Sequence, residues 1–452
     1  MQTRAMQATI RFGLGRRGQA PLPADPEGWL RAQVAAADGA RFPPDLPDSA
    51  EGLRRLRDQR RMKLQGDPLV GPLFQADAMA QMAQALASDQ PFRERLVWFW
   101  ANHFTVSLRQ GGTRATIGPY VREAIRPHVT GRFSDMLLAV MRHPAMLMYL
   151  DNASSIGPDS PAAQAARRHG QARGLNENLA RECLELHTLS PAAGYTQQDV
   201  TAFAAILTGW TVDLRADPPG FAFRAAAHQP GDKQVMGRIF PPGEEGGIQA
   251  LRWLADHPAT HRHLAVRLAT HFIADTPPPA AIQAIAAALR DSGGDLGAAA
   301  VAVVARPEAW HTESWRTGAG HAGTKLRMPW QYALAALRAL DPPPTDDPHR
   351  SPARLLMGAM AQLGQPLWNA PLPNGWSDRA ADWSAPSDMI ARADWAYGLA
   401  GRDIAAGADP LDIAHASLGP VLRPATLAAL SHAASRRDAL TLLFTAPEFQ
   451  RL

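Results

Sequence analysis

The spacing of the apolar residues is the feature that most limits what this chain can fold into. In four long stretches apolar residues recur every three or four positions, which is the period of an α-helix and not the alternation of a β-strand. These stretches are PFRERLVWFWANHF (91–104), SDMLLAVMRHPAMLMYL (134–150), DVTAFAAILTGW (199–210) and ATHRHLAVRLATHFIAD (259–275). The pattern predicts a mainly α-helical, multi-helix globular fold.

One stretch departs from the helical pattern. In PGFAFRAAAHQPGDKQVMGRIF, residues 219–240, short apolar pieces flank a Pro-Gly-Asp turn. Short apolar runs around such a turn are typical of paired strands. We therefore expect a small β hairpin or an ordered loop near residues 219–240.

Clusters of proline divide the chain. They are PPDLPDS (43–49), TPPP (276–279) and DPPPTDDPHRSP (341–352). Because proline interrupts regular structure, we predict three helical parts. These are an N-terminal segment (1–90), a central core that carries the polar motifs (91–275) and a C-terminal region with a tryptophan-rich loop (276–452).

Composition excludes several classes of protein. The chain has 452 residues, of which 46% are hydrophobic and 19% charged, and no apolar run is long enough for a transmembrane span. A net charge of +4 without long basic blocks argues against nucleic acid as a partner. The single cysteine, Cys183, excludes an internal disulfide and a cysteine-cluster metal site. No apolar segment follows Arg16 and Arg17, so the chain as written has no recognisable export signal.

The stretch GLNENLARECLELHTLS, residues 174–190, is called here the signature segment. On a helix one side is apolar, and the other carries Glu177, Asn178, Arg181, Glu182 and Glu185. One interpretation is a solvated face, since Arg181 is four residues from both Glu177 and Glu185 and can pair with them. In the other, Asn178 and its neighbours bind substrate, while Glu182 and Glu185 serve as acid and base or as ligands of one divalent metal ion.

Three histidines lie late in apolar helical stretches: His103, His187 and His271. Such a histidine is commonly a core residue whose ring nitrogens bond to the backbone or to water. The alternative is that the three imidazoles converge as ligands of a divalent metal ion, with His187 also contributing to catalysis. A regular helix, at about 100° per residue, puts His187 roughly 140° from Glu182 and on the apolar side.

Other candidates for substrate binding lie outside the signature segment. Lys233, in a glycine-rich turn, offers a compact ammonium group in a chain with few lysines. Trp376 and Trp383 lie in a proline- and glycine-rich loop, where they either fill the core or form a platform that stacks against sugar rings. The motifs GYTQQDV, HPAM and HPAT predict helix starts, with Thr196 and Asp199 forming a capping box.

Four segments together resemble one bacterial family. They are WFWANHFTVS (98–107), HPAMLMYLDNASS (143–155), the signature segment followed by GYTQQDVTAFAAILTGW (194–210), and KLRMPW (325–330). Over nearly its whole length the chain is similar to the domain-of-unknown-function-1800 (DUF1800) family. The GGYTQ turn of the family reads AAGYTQ here, which changes none of the charged residues.

The resemblance implies that the polar residues of the signature segment form a functional or buried network. It implies no established reaction. Many members of the family are exported and encoded beside a sulfatase- or phosphatase-like companion, which implies an exported or periplasmic protein. The chain as written, without an export signal, indicates the cytoplasm instead.

Two functions are consistent with these patterns. The first is a hydrolase acting on a glycan or similar polar polymer, through a cleft that contains Glu177, Arg181, Glu182, Glu185 and His187. The second is a non-catalytic helical binding or assembly protein, whose partner is the separately encoded sulfatase- or phosphatase-like enzyme.

Overall fold

The computed structural model of the protein describes residues 2–170, 174–310, 325–343, 345, 347 and 350–452. Over these residues it contains 21 α-helices and four short strands, so the predicted mainly α-helical fold is confirmed. Within the same residues, no helix has the length and apolar character needed to cross a membrane.

Helices α1–α10 lie in the part of the chain that ends with the signature segment. Their bounds are Gln2–Gln7, Pro26–Ala35, Ser49–Arg61, Val70–Ala87, Pro91–His103, Ile117–Tyr120, Phe133–Arg142, Pro144–Tyr149, Pro161–Arg168 and Asn178–Glu182. Three π-helical turns directly follow α1, α6 and α10, at Ala8–Phe12, Val121–Ile125 and Cys183–His187.

Helices α11–α21 follow the signature segment. Their bounds are Gln197–Leu207, Glu244–Asp256, Pro258–Phe272, Pro279–Asp291, Leu296–Val304, Pro329–Leu340, Pro352–Gln362, Pro386–Ala400, Pro410–Ser417, Pro424–Ser431 and Arg436–Thr445. Short 3-10 helices lie between the longer elements along the chain, at Thr113–Ala115, Arg126–His128, Asn152–Ser154, Pro191–Ala193, Ala225–Ala227, Pro307–Trp310, Ala380–Trp383, Asp403–Ala405 and Gly419–Val421.

Proline marks the starts of helices. Eleven of the 21 helices begin with proline, which has no N–H to satisfy in the first turn and a backbone angle suited to it. The predicted starts at HPAM and HPAT are confirmed. His143 and His257 precede those prolines, and the Nδ1 atom of each accepts a hydrogen bond from a backbone N–H, at 3.1 Å in both cases. The predicted capping box of Thr196 and Asp199 is also present.

Two antiparallel hairpins interrupt the helices. Strand β1 (Trp210–Asp213) pairs with β2 (Gly220–Phe223), and β3 (Lys233–Val235) pairs with β4 (Arg238–Phe240). The predicted hairpin is therefore confirmed, but its turn is not at Pro-Gly-Asp. The chain reverses at Met236 and Gly237, whose φ angles of 47° and 81° are both positive, as a tight two-residue hairpin loop requires.

Two large hydrophobic clusters form the interior. The first gathers buried side chains between residues 8 and 310, including those of α14 and α15. The second gathers side chains from residues 6–14, 78–85 and 326–452. The N-terminal residues therefore contribute to both clusters. Among the described residues, the buried apolar side chains from Leu326 onward belong to the second cluster.

Buried arginines link parts of the chain that are distant in sequence. Arg11 Nε donates to the carbonyl of Phe272 at 2.9 Å, and Arg338 Nη1 donates to the carbonyl of Ala85 at 3.2 Å. Burial lowers the pKa of both guanidinium groups to about 10. Each remains charged at neutral pH and bonds to carbonyl groups.

A buried ion pair joins α4 and α5 to the following segment. Arg126 makes two bonds of 2.8 Å to the carboxylate of Glu94, and these side chains are 5% and 1% exposed. Gln81 and Gln84, on α4, each donate to the same carboxylate at 3.5 Å. The pair therefore fixes the N-terminal helices to the central core.

We expect Glu94→Gln to lower the free energy of unfolding by about 3–5 kcal/mol, because buried Arg126 would lose its close carboxylate and keep only Asp38, 3.5 Å away. The matched control is Glu51→Gln on α3, where Glu51 pairs with the partly exposed Arg54 and Arg55. That change should cost at most about 1 kcal/mol. Urea denaturation of both variants gives the comparison, and equal losses would contradict a special role for the buried pair.

Candidate functional site

The signature segment folds as a helix whose winding changes at its middle. Residues Asn178–Glu182 are α-helical, and Cys183–His187 form a π-helical turn. At the start of the helix, Asn176 Oδ1 accepts a hydrogen bond of 2.9 Å from the backbone N–H of Asn178. A π turn is wider than an α-helical turn and is frequent at functional sites. The angle of roughly 140° between His187 and Glu182, which assumes a regular α-helix, therefore does not apply.

Glu177 and Arg181 fix the start of this helix against α11. The carboxylate of Glu177 accepts hydrogen bonds from Thr201 Oγ1 at 2.6 Å, and from Arg181 Nη2 and Gln197 Nε2 at 2.8 Å each. The bond from Thr201 is the largest cause of the lowered pKa of Glu177. Since both carboxylate oxygens are already bonded, these contacts indicate that Glu177 and Arg181 position the helix.

Glu182 and Glu185 differ from Glu177. Both side chains are half-buried, yet neither carboxylate accepts a hydrogen bond or forms an ion pair in the part of the chain that the structure describes. Burial, and then the charge of Glu185, raises the pKa of Glu182. Polar groups that lose water on folding are normally hydrogen-bonded. The two carboxylates therefore remain available to a ligand or a proton.

Two tyrosines, neither of them predicted from the sequence, feel the charges of this pair. Burial and the charge of Glu182 raise the pKa of Tyr149 to about 12, and burial and the charge of Glu185 raise the pKa of Tyr195. Both phenols stay protonated at neutral pH and can donate hydrogen bonds beside the glutamates. The available signal was their position: two of the five tyrosines lie in the shared motifs HPAMLMYLDNASS and GYTQQDV.

Histidines from two other helices cap the end of the signature helix. His103 Nε2 donates to the carbonyl of His187 at 3.1 Å, and His263 Nε2 donates to the carbonyl of Leu186 at 2.9 Å. The last carbonyls of a helix have no partner within it. His103, on α5, and His263, on α13, supply those partners and so fix the helix end in the core.

His187 itself is completely buried. Neither of its ring nitrogens has a hydrogen-bond partner among the described residues, and its ring packs 5.1 Å from that of Phe104. Burial, followed by the nearby charge of His263, lowers the pKa of His187 to about 3. At neutral pH the ring is uncharged and acts as a core side chain.

The predicted metal site of His103, His187 and His271 is not found. His271 Nδ1 donates to Asp378 Oδ1 at 2.6 Å, and its Nε2 accepts from Arg95 Nε at 3.3 Å. Both of its ring nitrogens are thus used in a buried network. Across the described residues, no three His, Cys, Asp or Glu side chains are arranged to hold a metal ion.

The remaining predicted binding residues have different surroundings. Lys233 is buried, and its ammonium group donates to His228 Nε2 at 3.2 Å and to the carbonyl of Gln229. It therefore stabilises the loop that leads into β3. Asn178 is half-buried, and within the described chain only its backbone N–H takes part in a hydrogen bond outside the helix.

The tryptophan loop packs into the second hydrophobic cluster. Trp383 is only 8% exposed, and its indole N–H donates to the carbonyl of Ser377 at 2.8 Å. The ring of Trp376 lies 5.9 Å from that of Trp383, and Asn102 bonds to the Trp376 backbone on both sides. The burial of Trp383 fits the core interpretation, whereas Trp376 is half-buried.

A polar cavity of about 770 Å³ lies at the start of the signature segment. Its volume falls within the range typical of ligand sites, which is about 300–1,000 Å³. The side chains that line it include Ser154, Ser155, Asn176, Glu177, Thr211 and Arg224.

The fold and site define an α-helical protein built around one acidic helix with a histidine-capped end. The sequence model of the family described as "Protein of unknown function (DUF1800)" matches residues 7–451, so the chain belongs to this family. Comparisons with curated proteins and with solved structures find no match.

The buried, neutral His187 predicts a loss of stability in acid. Its pKa of about 3 lies below the ordinary 6.5, so the unfolded chain binds a proton that the folded chain does not. Stability present above pH 6.5 is therefore lost as the pH falls towards 3. We expect the free energy of unfolding of His187→Leu, measured in urea, to fall less between pH 7 and pH 4.5 than that of the wild type.

The control for this experiment is His415→Gln, which changes an exposed histidine on α19. Its pH dependence should match that of the wild type. If His187→Leu were also indistinguishable from the wild type, His187 would not be held neutral by the fold.

Proposed function

We propose that the protein is a hydrolase that cleaves a glycan or similar polar polymer, with Glu182 and Glu185 as the acid–base pair. The observation that carries the proposal is the unbonded state of these two half-buried carboxylates within the described chain. Glu177, on the same helix, is fully hydrogen-bonded by its neighbours. Glu177 therefore has a positioning role, whereas Glu182 and Glu185 are free to react.

The raised pKa of Glu182 suits the role of general acid. A raised pKa increases the fraction of the carboxyl group that carries a proton at a given pH, and the protonated form can donate it to the departing glycosidic oxygen. Glu185, three residues on, then acts as the base that takes a proton from the attacking water. Glu182 ends the α-helix and Glu185 lies in the π turn that follows it, close enough for its charge to raise the pKa of Glu182. Both groups can therefore act on one scissile bond.

Two features support a sugar polymer as the substrate. The protonated hydroxyl groups of Tyr149 and Tyr195 can bond to sugar oxygens, while their rings offer apolar surface. A polar cavity is also lined by Glu177, which lies on the same segment as the reactive pair.

We expect purified wild-type protein to release reducing ends from at least one member of a panel of neutral and acidic polysaccharides. Glu182→Gln and Glu185→Gln should each lower that rate by about 10²–10⁴-fold, because each removes one proton-transfer group. An aryl glycoside with a good leaving group should recover much of the rate in Glu182→Gln alone, since that leaving group does not need protonation.

The matched control is Glu245→Gln, at an exposed position on α12, which should keep the wild-type rate. Full activity in Glu182→Gln would remove Glu182 from the mechanism. If the wild type released nothing from the whole panel, the result would favour the other proposal, a binding or assembly protein for a sulfatase- or phosphatase-like partner enzyme.

Stability offers a test that needs no substrate. Because the folded-state pKa of Glu182 is raised, its protonated form is preferred in the folded protein, and ionisation above that pKa destabilises the fold. We expect Glu182→Gln to be more stable than the wild type at pH 8, by less than about 1 kcal/mol since the group is partly solvated. The difference should vanish at pH 4 in urea denaturation. A difference independent of pH would contradict the raised pKa.

A further inference from the structure

The polar cavity beside the signature segment contains an unpaired cation. Arg224 lines it, is exposed, and within the described residues its guanidinium group makes no hydrogen bond or ion pair. Its backbone N–H donates to the carbonyl of Gly209 at 2.8 Å, so the main chain is fixed while the side chain is available. An unpaired guanidinium in a cavity is suited to two parallel hydrogen bonds with a carboxylate or sulfate group.

Two further donors in the cavity are unused within the described chain. Ser155 Oγ accepts a bond of 3.0 Å from the backbone N–H of Asn176, but its own hydroxyl proton has no acceptor. Asn176 Oδ1 accepts from Asn178, whereas its amide NH₂ group donates to nothing. Each of these side chains therefore has its acceptor oxygen engaged and its donor free.

The carboxylate that lines the cavity is already hydrogen-bonded. Glu177 accepts from Thr201, Arg181 and Gln197, so it offers little to a ligand. A ligand that fits must supply acceptors and negative charge. A second cavity, of about 940 Å³, has a different balance of charge. There Asp341 pairs with Arg17, and Arg350 pairs with Asp403.

We propose that this cavity binds an acidic sugar residue of an anionic glycan. Arg224 pairs with the carboxylate or sulfate group, and Asn176 and Ser155 donate to neighbouring sugar oxygens. That the ligand is a glycan rests on the proposed function. The cavity adds that this glycan is negatively charged. Glu177, which lines the cavity, precedes Glu182 by five residues, a rise of about 7.5 Å along a helix axis.

Binding is measured by titration calorimetry on the full chain carrying Glu182→Gln, which prevents turnover. The probes are trigalacturonate, a sulfated galactotriose and neutral galactotriose. We expect at least one acidic trimer to bind at least tenfold more tightly than the neutral one. Adding Arg224→Gln should abolish that preference, because Arg224 supplies the charge.

The matched control is Arg215→Gln, which removes an equal charge from an exposed position in the β1–β2 connection, outside the residues that line the cavity. It should keep the preference for acidic trimers. Whichever acidic trimer binds more tightly shows whether the site prefers a carboxylate or a sulfate group. Equal binding of neutral and acidic trimers, no binding of any trimer, or equal effects of Arg224→Gln and Arg215→Gln would overturn the proposal.

The outcome is separable from that of the hydrolysis assay. Selective binding that depends on Arg224, without turnover by the wild type, would retain the acidic-glycan site and remove the catalytic assignment. Turnover that depends on Glu182, without selective binding, would do the reverse.

Discussion

Two imidazole N–H groups hold the end of the acidic helix in place, and the geometry of the site depends on them. The carbonyls of Leu186 and His187 lie at a helix end, where no backbone partner is available within the helix. A buried carbonyl without a partner costs about 1–3 kcal/mol. His103 and His263 remove that cost with bonds from α5 and α13. The π turn, which carries Glu185, is thereby fixed relative to α5 and α13.

Four glutamates near this helix and in the N-terminal junction fall into two groups. Glu94 and Glu177 accept hydrogen bonds from several side chains, so each stabilises a junction between helices. Glu182 and Glu185 are half-buried without such partners among the described residues. Local rules of stability are most often broken at functional sites, where a ligand completes the missing interactions. The same reasoning singles out Arg224 in the neighbouring cavity.

The histidines show why composition and the spacing of apolar residues do not identify the role of a side chain. His103 and His271 both lie on the apolar stripe of a helix and look equivalent in sequence. In the fold, His103 donates to a carbonyl, while His271 is held between Asp378 and Arg95. Asp378 lies 107 residues away from its partner His271. A pattern within one helix cannot predict a contact between residues so far apart in the sequence.

The sequence by itself determined the mainly helical fold, three helix starts and the family, because periodicity, proline and side-chain caps act over a few neighbouring positions. It also located the acidic segment. Only the tertiary structure decided which of its glutamates are bonded and which are free, since the bonds that distinguish Glu177 come from Gln197 and Thr201 on α11. The turn at Met236 and Gly237, the tyrosines beside the pair and the capping histidines were likewise decided there. Each depends on the burial and distance that packing alone creates.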